Sequence, residues 1–149
     1  MAMHNALMER LQLFLTKEGN QSLLGTPATE EQIAGAEKQL GLSLDQDYVQ
    51  FIRSFGGAYA GLPVHAFSNG SSIGRESVTE LTLSFREDYK DTPMSGLLAR
   101  SAVFSMDGSG NPILLDPEGR VLLIDHDNGD YEVIAESFAA LIEENFMEW

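Results

Sequence analysis

Cysteine is absent from this 149-residue chain, and its absence excludes several kinds of chemistry. Disulfide bonds, thiolate nucleophiles and cysteine-based metal sites all require that side chain. Long apolar runs are also absent, because no stretch approaches the ~20 residues that a membrane-spanning helix needs. The N-terminal residues lack a basic segment followed by an apolar one, which is the pattern of a secretory signal. We therefore expect a cytoplasmic protein that does not enter a membrane.

Basic residues are scarce in the chain. There are 9 Lys and Arg against 23 Asp and Glu, which gives a formal net charge of −14. The last 43 residues, 107–149, contain 11 acidic residues and one base, Arg120, so this segment carries most of the net charge. An acidic surface repels nucleic-acid phosphates and attracts a basic partner. Charge alone favours the simpler interpretation, a surface that promotes solubility.

Histidine, the commonest general base, occurs at only three positions. His4 lies near the N-terminus, and no catalytic partner stands close to His65 in the sequence. His126 is flanked by Asp125 and Asp127, so one hypothesis is a hydrolase that uses His126 and a nearby carboxylate. The chain also lacks the G-x-S-x-G nucleophile motif. A histidine in a solvated hairpin turn is the favoured interpretation, and we predict a protein that is not an enzyme.

One run of polar residues has the ligand spacing of an EF-hand calcium loop: Asp107, Ser109, Asn111 and Glu118. The sixth position of such a loop needs a glycine with positive φ, and here it is Pro112, whose ring fixes φ near −65°. The flanking residues also have the pattern of strands, whereas an EF-hand loop lies between helices. We therefore predict no metal site and no cofactor.

A second acidic group occupies one predicted hairpin: Asp125, Asp127, Asp130 and Glu132. Paired carboxylates serve hydrolases and magnesium sites, but such sites draw their ligands from separate elements inside a cleft. Four acids at one hairpin tip repel one another, and water must screen them. A solvated turn is the favoured interpretation. The hypothesis of partner binding assigns these four residues and Glu118 to a surface for a cationic protein.

The first part of the chain has helical periodicity. Apolar residues repeat at helical spacing over 5–18 and predict a first helix. Thr29 and Gln32 have the spacing of a capping box, and the helix that they begin is predicted to end at Gly41. Glu37 falls on the inward face of this second helix, where a carboxylate must find donors. We predict that Glu37 accepts hydrogen bonds from the backbone of a nearby loop.

The third predicted helix begins at a cap formed by Ser43 or Asp45 and ends at a Gly-Gly pair. Residues 67–74 have the composition of a loop. The pattern V-T-E-L-T-L-S-F over 78–85 alternates and predicts a strand, with a short turn of helix at its start as the alternative. The polar segment that follows, through residue 96, is predicted to be a mobile surface loop.

Short β-rich runs follow one another from residue 101 to about 135 and predict an antiparallel meander. Asp116–Gly119 has the residues of a type I turn, and Asn128-Gly129 favours a type I′ hairpin. A last helix is predicted after Ser137. Helices, then hairpins, then a helix indicate an α+β fold. We expect a single domain over 1–149, in which 1–24 form an N-terminal helix and a connector.

Two segments resemble the SUKH superfamily of Smi/Knr-like proteins. The first is E-K-Q-L-G-L-S-L-D-Q-D-Y-V-Q-F-I-R-S-F-G-G at 37–57, and the second is S-M-D-G-S-G-N-P at 105–112. The resemblance extends over roughly 25–147. It implies that the signature residues are structural: Glu37, Leu40, Gly41, Tyr48, Phe51, Gly57, Asp107, Gly110 and Asn111. The sequence departs from the family pattern in two ways. Members usually have Pro at the position of Asp45, and many relatives carry a Trp before the sheet, whereas the only Trp of this chain is Trp149.

The resemblance also implies a fold and a function. The fold is a central antiparallel sheet of about four to six strands, flanked by N-terminal helices and a C-terminal helix. Bacterial members look like immunity proteins that bind and neutralise a toxin from neighbouring cells, and fungal members look like adaptors in cell-wall signalling. The leading hypothesis is therefore a stoichiometric inhibitor of a basic toxin such as a nuclease. The alternative is a regulatory adaptor or ligand-binding domain that acts on an endogenous partner.

Overall fold

The computed structural model describes residues 3–148 of the chain. Its helices are α1 Asn5–Leu15, α2 Glu30–Leu40, α3 Gln46–Phe55, α4 Val78–Asp88, α5 Ser95–Leu98 and α6 Phe138–Asn145, with a 3-10 turn at Gln21–Leu23. Its strands are β1 Ala58–Tyr59, β2 Pro63–Val64, β3 Ala102–Met106, β4 Pro112–Leu115, β5 Val121–Asp125 and β6 Asp130–Ala135. Trp149, the single tryptophan of the sequence, lies outside the described residues.

The central sheet contains four strands in the order β3-β4-β5-β6, and each pair of neighbours is antiparallel. This confirms the predicted meander and the α+β fold. The short strands β1 and β2 form a separate two-stranded hairpin. In the central sheet β3 and β6 are the edge strands, and the contacts of α4 with β3 cover the first of these edges.

Two apolar clusters lie on opposite faces of the sheet. The larger one packs α1, α2, α3 and α6 against the sheet, and at its centre the ring of Phe138 contacts those of Tyr48, Phe51 and Phe104. The smaller one packs α4 and α5 on the other face and includes Leu81, Leu98, Leu114, Leu122 and Ile124. Because successive strand residues point to opposite faces, both clusters draw on the same strands.

The predicted caps of α2 and α3 are confirmed. Thr29 accepts a hydrogen bond from the Gln32 backbone, and the Gln32 side chain accepts one from the Thr29 backbone, which completes the capping box. Gly41 ends α2 in the left-handed region with φ 71°. The Asp45 carboxylate accepts from the Tyr48 backbone and caps α3. Asp45 is therefore the N-cap of α3.

The strand predicted over 78–85 is wrong, because this segment belongs to α4. Ser77 and Glu80 form a second capping box that starts the helix, with both reciprocal hydrogen bonds present. The Thr82 hydroxyl also accepts from the Val103 backbone at 2.8 Å, which ties the helix to β3. Local capping and tertiary packing thus outweigh the alternating pattern.

The polar segment predicted as a loop after residue 85 is partly helical. It begins inside α4, turns after Asp88 and continues into α5. The Arg86 guanidinium donates to the carbonyl oxygens of Leu98 and Ala99 at 3.0 and 3.2 Å and holds the end of α5 against α4. The loop prediction was wrong for the helical parts of this segment. The contact of Arg86 with Leu98 and Ala99 joins residues 12 and 13 positions apart, and no local sequence pattern indicates it.

The two hairpin turns of the sheet differ from each other. At Asp116 the predicted turn is present, closed by a hydrogen bond from the Gly119 N–H to the Asp116 carbonyl. At the β5–β6 turn the type I′ prediction is wrong, because Gly129 has φ 68° while Asn128 does not have a positive φ. Four residues, 126–129, connect the strands, and the Gly129 N–H donates to the Asp125 carbonyl at 2.8 Å.

No helix in residues 3–148 combines the length and the hydropathy required to cross a bilayer.

Candidate functional site

The structure brings four of the five predicted contact residues together at one end of the sheet. Asp125 ends β5, Asp127 lies in the turn, and Asp130 and Glu132 belong to β6. We call residues 125–132 the acidic hairpin. The segment contains four carboxylates and no Lys or Arg, so at neutral pH its fixed side-chain charge is entirely negative.

Glu118, the fifth predicted residue, lies elsewhere. It belongs to the β4–β5 turn, whereas the acidic hairpin follows the other end of β5. The five residues of β5 separate the two turns by about 13 Å at the ordinary rise of a strand. Glu118 is exposed and lies 3.8 Å from the Arg120 guanidinium. It is therefore not part of the same surface, and its assignment to a partner contact remains a separate prediction.

The carboxylate of Asp125 is occupied by the turn itself. Its Oδ1 accepts from the Asp127 N–H at 2.9 Å, and its Oδ2 accepts from the Asn128 amide at 3.3 Å. Asp125 also lies directly opposite Asp130 in the β5–β6 register. Like charges directly opposite each other destabilise a strand pair. Asp125 thus shapes the hairpin and adds to its negative potential.

The remaining three carboxylates face solvent. The side chain of Asp127 is 86% exposed, and Asp130 and Glu132 are also exposed. Asp130 uses Oδ1 to accept from the Tyr131 N–H, which leaves its other oxygen available. Beside them is a recess of about 260 Å³, lined by Leu123, Asp125, Asn128, Asp130, Tyr131 and Glu132. These side chains can accept hydrogen bonds from a cationic group at low desolvation cost.

His126 anchors the acidic hairpin to the turn that contains Asn111. Its backbone N–H donates to Asn111 Oδ1 at 2.9 Å, and its ring Nδ1 contacts the same oxygen. Its side chain is 43% exposed, and Nε2 lies 3.3 Å from Asp127 Oδ1. In a hydrolase, a carboxylate would accept a hydrogen bond from Nδ1 of the general-base histidine. In His126 the Nδ1 atom instead contacts the side-chain amide of Asn111.

The turn at Asp107 is the other half of this connection. Asp107 Oδ1 accepts from the backbone N–H groups of Ser109 and Asn111, and Oδ2 accepts from the Asn111 side chain at 2.9 Å. The side-chain bond from Asn111 contributes most to lowering the pKa of Asp107, and the two backbone bonds add to it. Gly110 adopts φ 82° within this turn. The Asp107 carboxylate therefore accepts the hydrogen bonds that close this turn, which is the structural role that the resemblance implies.

Three of the other signature residues also have structural contacts. Glu37 accepts from the Leu44 N–H at 2.8 Å, which confirms the predicted hydrogen bond to a loop backbone. Tyr48 is fully buried and donates to the His65 carbonyl at 2.5 Å, and burial raises the pKa of Tyr48. A Cβ on Gly57 would lie 1.9 Å from Asn69 Oδ1, so only glycine fits there. Leu40 and Phe51 belong to the buried residues.

Asp47 is a buried carboxylate in the first turn of α3 that was not predicted from the sequence. Asp47 is only 5% exposed, and its Oδ1 has no hydrogen-bond partner among residues 3–148. Burial raises the pKa of Asp47, and the nearby charge of Asp45 raises it further. An acidic residue just after a helix cap is common on exposed surfaces, so no local pattern indicates that Asp47 is buried.

The sequence also did not single out Tyr131 and Val133 on β6. The side chain of Val133 and the ring of Tyr131 are apolar, yet Tyr131 is 44% exposed and Val133 is 41% exposed. The alternation of β6 predicts one buried face, but the strand lies at the margin of the sheet, where that face is not covered. Within the described part of the chain, no cluster of three or more His, Asp or Glu residues could hold a metal ion.

The chain matches a known protein family. The profile of the family described as SMI1 / KNR4 family (SUKH-1) matches residues 27–144, which is more than half of the chain. The match covers α2 through β6 and all of α6 but its last residue, so it includes the whole central sheet and the acidic hairpin. No curated protein sequence matches the chain.

Proposed function

The chain belongs to the SMI1 / KNR4 family (SUKH-1), and we propose on this basis that it is an immunity protein, which binds and neutralises a cognate toxin. The family includes immunity proteins, and its members generally act by contact with other proteins. We further propose that the toxin is basic, as a nuclease that binds phosphates would be, and that binding needs no catalysis. The protein would act in the cytoplasm, on a toxin that has entered the cell.

The observation that carries the proposal is the acidic hairpin. Its exposed carboxylates project from one end of a rigid sheet, and no Lys or Arg within the segment neutralises them. A fixed cluster of charge raises the association rate with an oppositely charged partner, by 10-fold to 10³-fold in typical cases. The basic groove in which a nuclease binds its substrate would be such an oppositely charged partner. Occupation of that groove by the hairpin would exclude the nucleic acid by charge and by volume.

The hydrogen bonds around the hairpin support this role. Asn111 holds the His126 backbone, and Asp107 holds Asn111 in turn, so the turn is fixed before a partner arrives. Binding then costs little conformational entropy in the hairpin backbone. The signature residues would therefore position the contact surface without touching the toxin.

The first test is co-expression of the chain with toxin domains encoded in the same genome. The proposal expects that one domain loses its toxicity and co-purifies with the chain. A phenotype of the chain's deletion in a strain with no such toxin would instead favour the adaptor hypothesis. A hydrolase activity that depends on His126 would contradict the non-enzymatic mechanism.

The second test measures association with the neutralised toxin domain at low salt. We predict that the triple substitution Asp127→Asn, Asp130→Asn and Glu132→Gln lowers the association rate constant by about tenfold, because it removes three steering charges. Dissociation should change less. Stopped-flow fluorescence gives both rate constants.

A matched control removes the same charge from another part of the chain. Glu9, Glu18 and Glu31 are exposed acidic residues near or within α1 and α2, and their replacement by glutamine changes the net charge equally. The control should retain most of the association rate. If the hairpin triple variant associates as fast as the wild type at low salt, the proposed contact surface is wrong.

A further inference from the structure

Strand β6 has one free edge. In the sheet it pairs only with β5, and no strand formed by residues 3–148 lies on its other side. Its first four residues, 130–133, are all exposed. Unpaired backbone groups at such an edge are a template for another strand, and proteins usually cover or blunt them. Here β6 contains no Lys and no Pro, its charged residues are Asp130 and Glu132, and its bulge comes after Val133.

The backbone of β6 presents donors at this edge. The Tyr131 N–H donates to Asp130 Oδ1, so it points away from β5. In an antiparallel ladder, alternate residues present their N–H and C=O groups to the same side. The Val133 N–H therefore lies on the free edge as well. The register remains regular from Asp130 to Val133, and the irregularity in the β5–β6 pairing comes only after Val133.

The charges of β6 select the strand that can add to it. Asp130 and Glu132 face one side of the sheet, and Tyr131 and Val133 face the other. The nearest base in the sequence, Arg120, is paired with Asp116 at 2.8 Å. Two copies of β6 side by side would bring carboxylates close together, which disfavours a dimer through this edge. A strand with basic residues would instead complement the two carboxylates.

We propose that an extended basic segment of the toxin pairs with β6 as a fifth strand of the sheet; this inference rests on the proposed immunity function. The segment alternates Lys or Arg with apolar residues. Its cations lie beside Asp130 and Glu132, and its apolar side chains pack on Tyr131 and Val133. Main-chain hydrogen bonds to the free edge supply affinity, and the alternating side chains supply specificity.

Two measurements on the toxin domain identified by co-expression test this inference. Hydrogen–deuterium exchange on the wild-type complex should slow at the Val133 amide, since that N–H becomes bonded. The substitution Val133→Pro removes the same N–H and should weaken binding by more than tenfold, mainly through faster dissociation. Val133→Thr keeps the N–H and the branched shape, so it is the matched control and should bind nearly as the wild type.

The outcomes separate this inference from the proposed function. If the wild type neutralises and binds none of the tested toxin domains, both are wrong. If the wild type binds with a salt-sensitive rate but Val133→Pro equals Val133→Thr and the Val133 amide stays unprotected, only the fifth strand is wrong. If Val133→Pro does not fold by circular dichroism, exchange at the wild-type amide decides alone. A dimer that pairs β6 with β6 in sedimentation and exchange experiments would also overturn the inference.

Discussion

The side chain of Asn111 connects two turns that are far apart in sequence. Its amide donates to Asp107 Oδ2 at 2.9 Å, and its carbonyl oxygen accepts from the His126 backbone at 2.9 Å. The resemblance predicted that Asn111 and Asp107 are structural, and their contacts have that character. The bond to His126 could not be predicted from the sequence, because only the pairing of β3, β4 and β5 brings the two turns together.

A buried carboxylate at Asp47 makes the stability of the fold depend on pH. The pKa of Asp47 is raised by burial and by Asp45, so the folded state binds this proton more tightly than the unfolded state does. The stability linked to this group is therefore present at low pH and is lost as pH rises through the folded pKa. Asp107 has the opposite pH dependence, because its pKa is lowered in the folded state. The stability linked to Asp107 is present above the usual carboxyl pKa and is lost as pH falls through its folded pKa.

We predict that Asp47→Asn raises the free energy of unfolding by about 1 kcal/mol at pH 7 relative to the wild type, because it removes a buried charge whose Oδ1 has no hydrogen-bond partner within residues 3–148. The advantage should disappear below the usual carboxyl pKa, where Asp47 is protonated in both states. Urea unfolding over a pH series measures this. Asp91→Asn, at an exposed aspartate, is the control and should show no such trend. An equal effect at all pH values would contradict the linkage.

Helix α4 shows how an element is decided by its ends and by its packing. The alternating residues of 78–85 suit a strand, but the Ser77–Glu80 capping box supplies a start signal that belongs only to a helix. The buried face of α4 contains Val78, Thr79, Leu81 and Thr82. Its contact with β3 covers one edge of the sheet. The helices that follow the caps at Thr29 and Asp45 were predictable, because the apolar residues after those caps repeat at helical spacing, whereas those of 78–85 alternate.

We predict that Ser77→Ala lowers the free energy of unfolding by about 1 kcal/mol, since the Glu80 backbone N–H loses its acceptor. Thermal and urea unfolding measure the change. Ser71→Ala, at an exposed serine in the preceding loop, is the matched control and should stay within about 0.5 kcal/mol of the wild type. If both variants have the same stability, the capping box does not determine the start of α4.

The whole molecule concentrates its negative charge at the C-terminal part of the chain, and the sheet places much of this charge at one end. Helix α1 precedes the residues that the family profile matches, yet it packs on the same core, with Phe14 and Phe146 ring centroids 5.2 Å apart. Arg10 also pairs with Glu148 at 2.7 Å. That the chain forms a single domain remains a prediction, and these contacts support it.

A cost in stability accompanies the charge of the acidic hairpin. We predict that Asp130→Asn raises the free energy of unfolding by about 0.5 kcal/mol at low salt, because it relieves the repulsion from Asp125 directly opposite. The asparagine can still accept from the Tyr131 N–H. The gain should shrink at 1 M salt, where the Debye length is about 3 Å.

Chemical unfolding of the wild type and of Asp130→Asn at low and high salt measures this effect. Glu9→Gln removes one charge from an exposed residue of α1 and serves as the control. A loss of stability on Asp130→Asn would mean that its hydrogen bond outweighs the repulsion. A gain together with weaker toxin binding would indicate a residue retained for function at the expense of stability.

The sequence by itself determined the features that depend on neighbours along the chain: the caps of α2 and α3, the antiparallel meander, the acidic hairpin and the family signature. Only the tertiary structure decided which distant groups meet. It separated Glu118 from the hairpin by the length of β5, buried Asp47, joined Asn111 to His126 and left one edge of β6 open. The physical reason is that caps and turns are satisfied within a few residues, whereas burial and edge pairing depend on the packing of the whole fold.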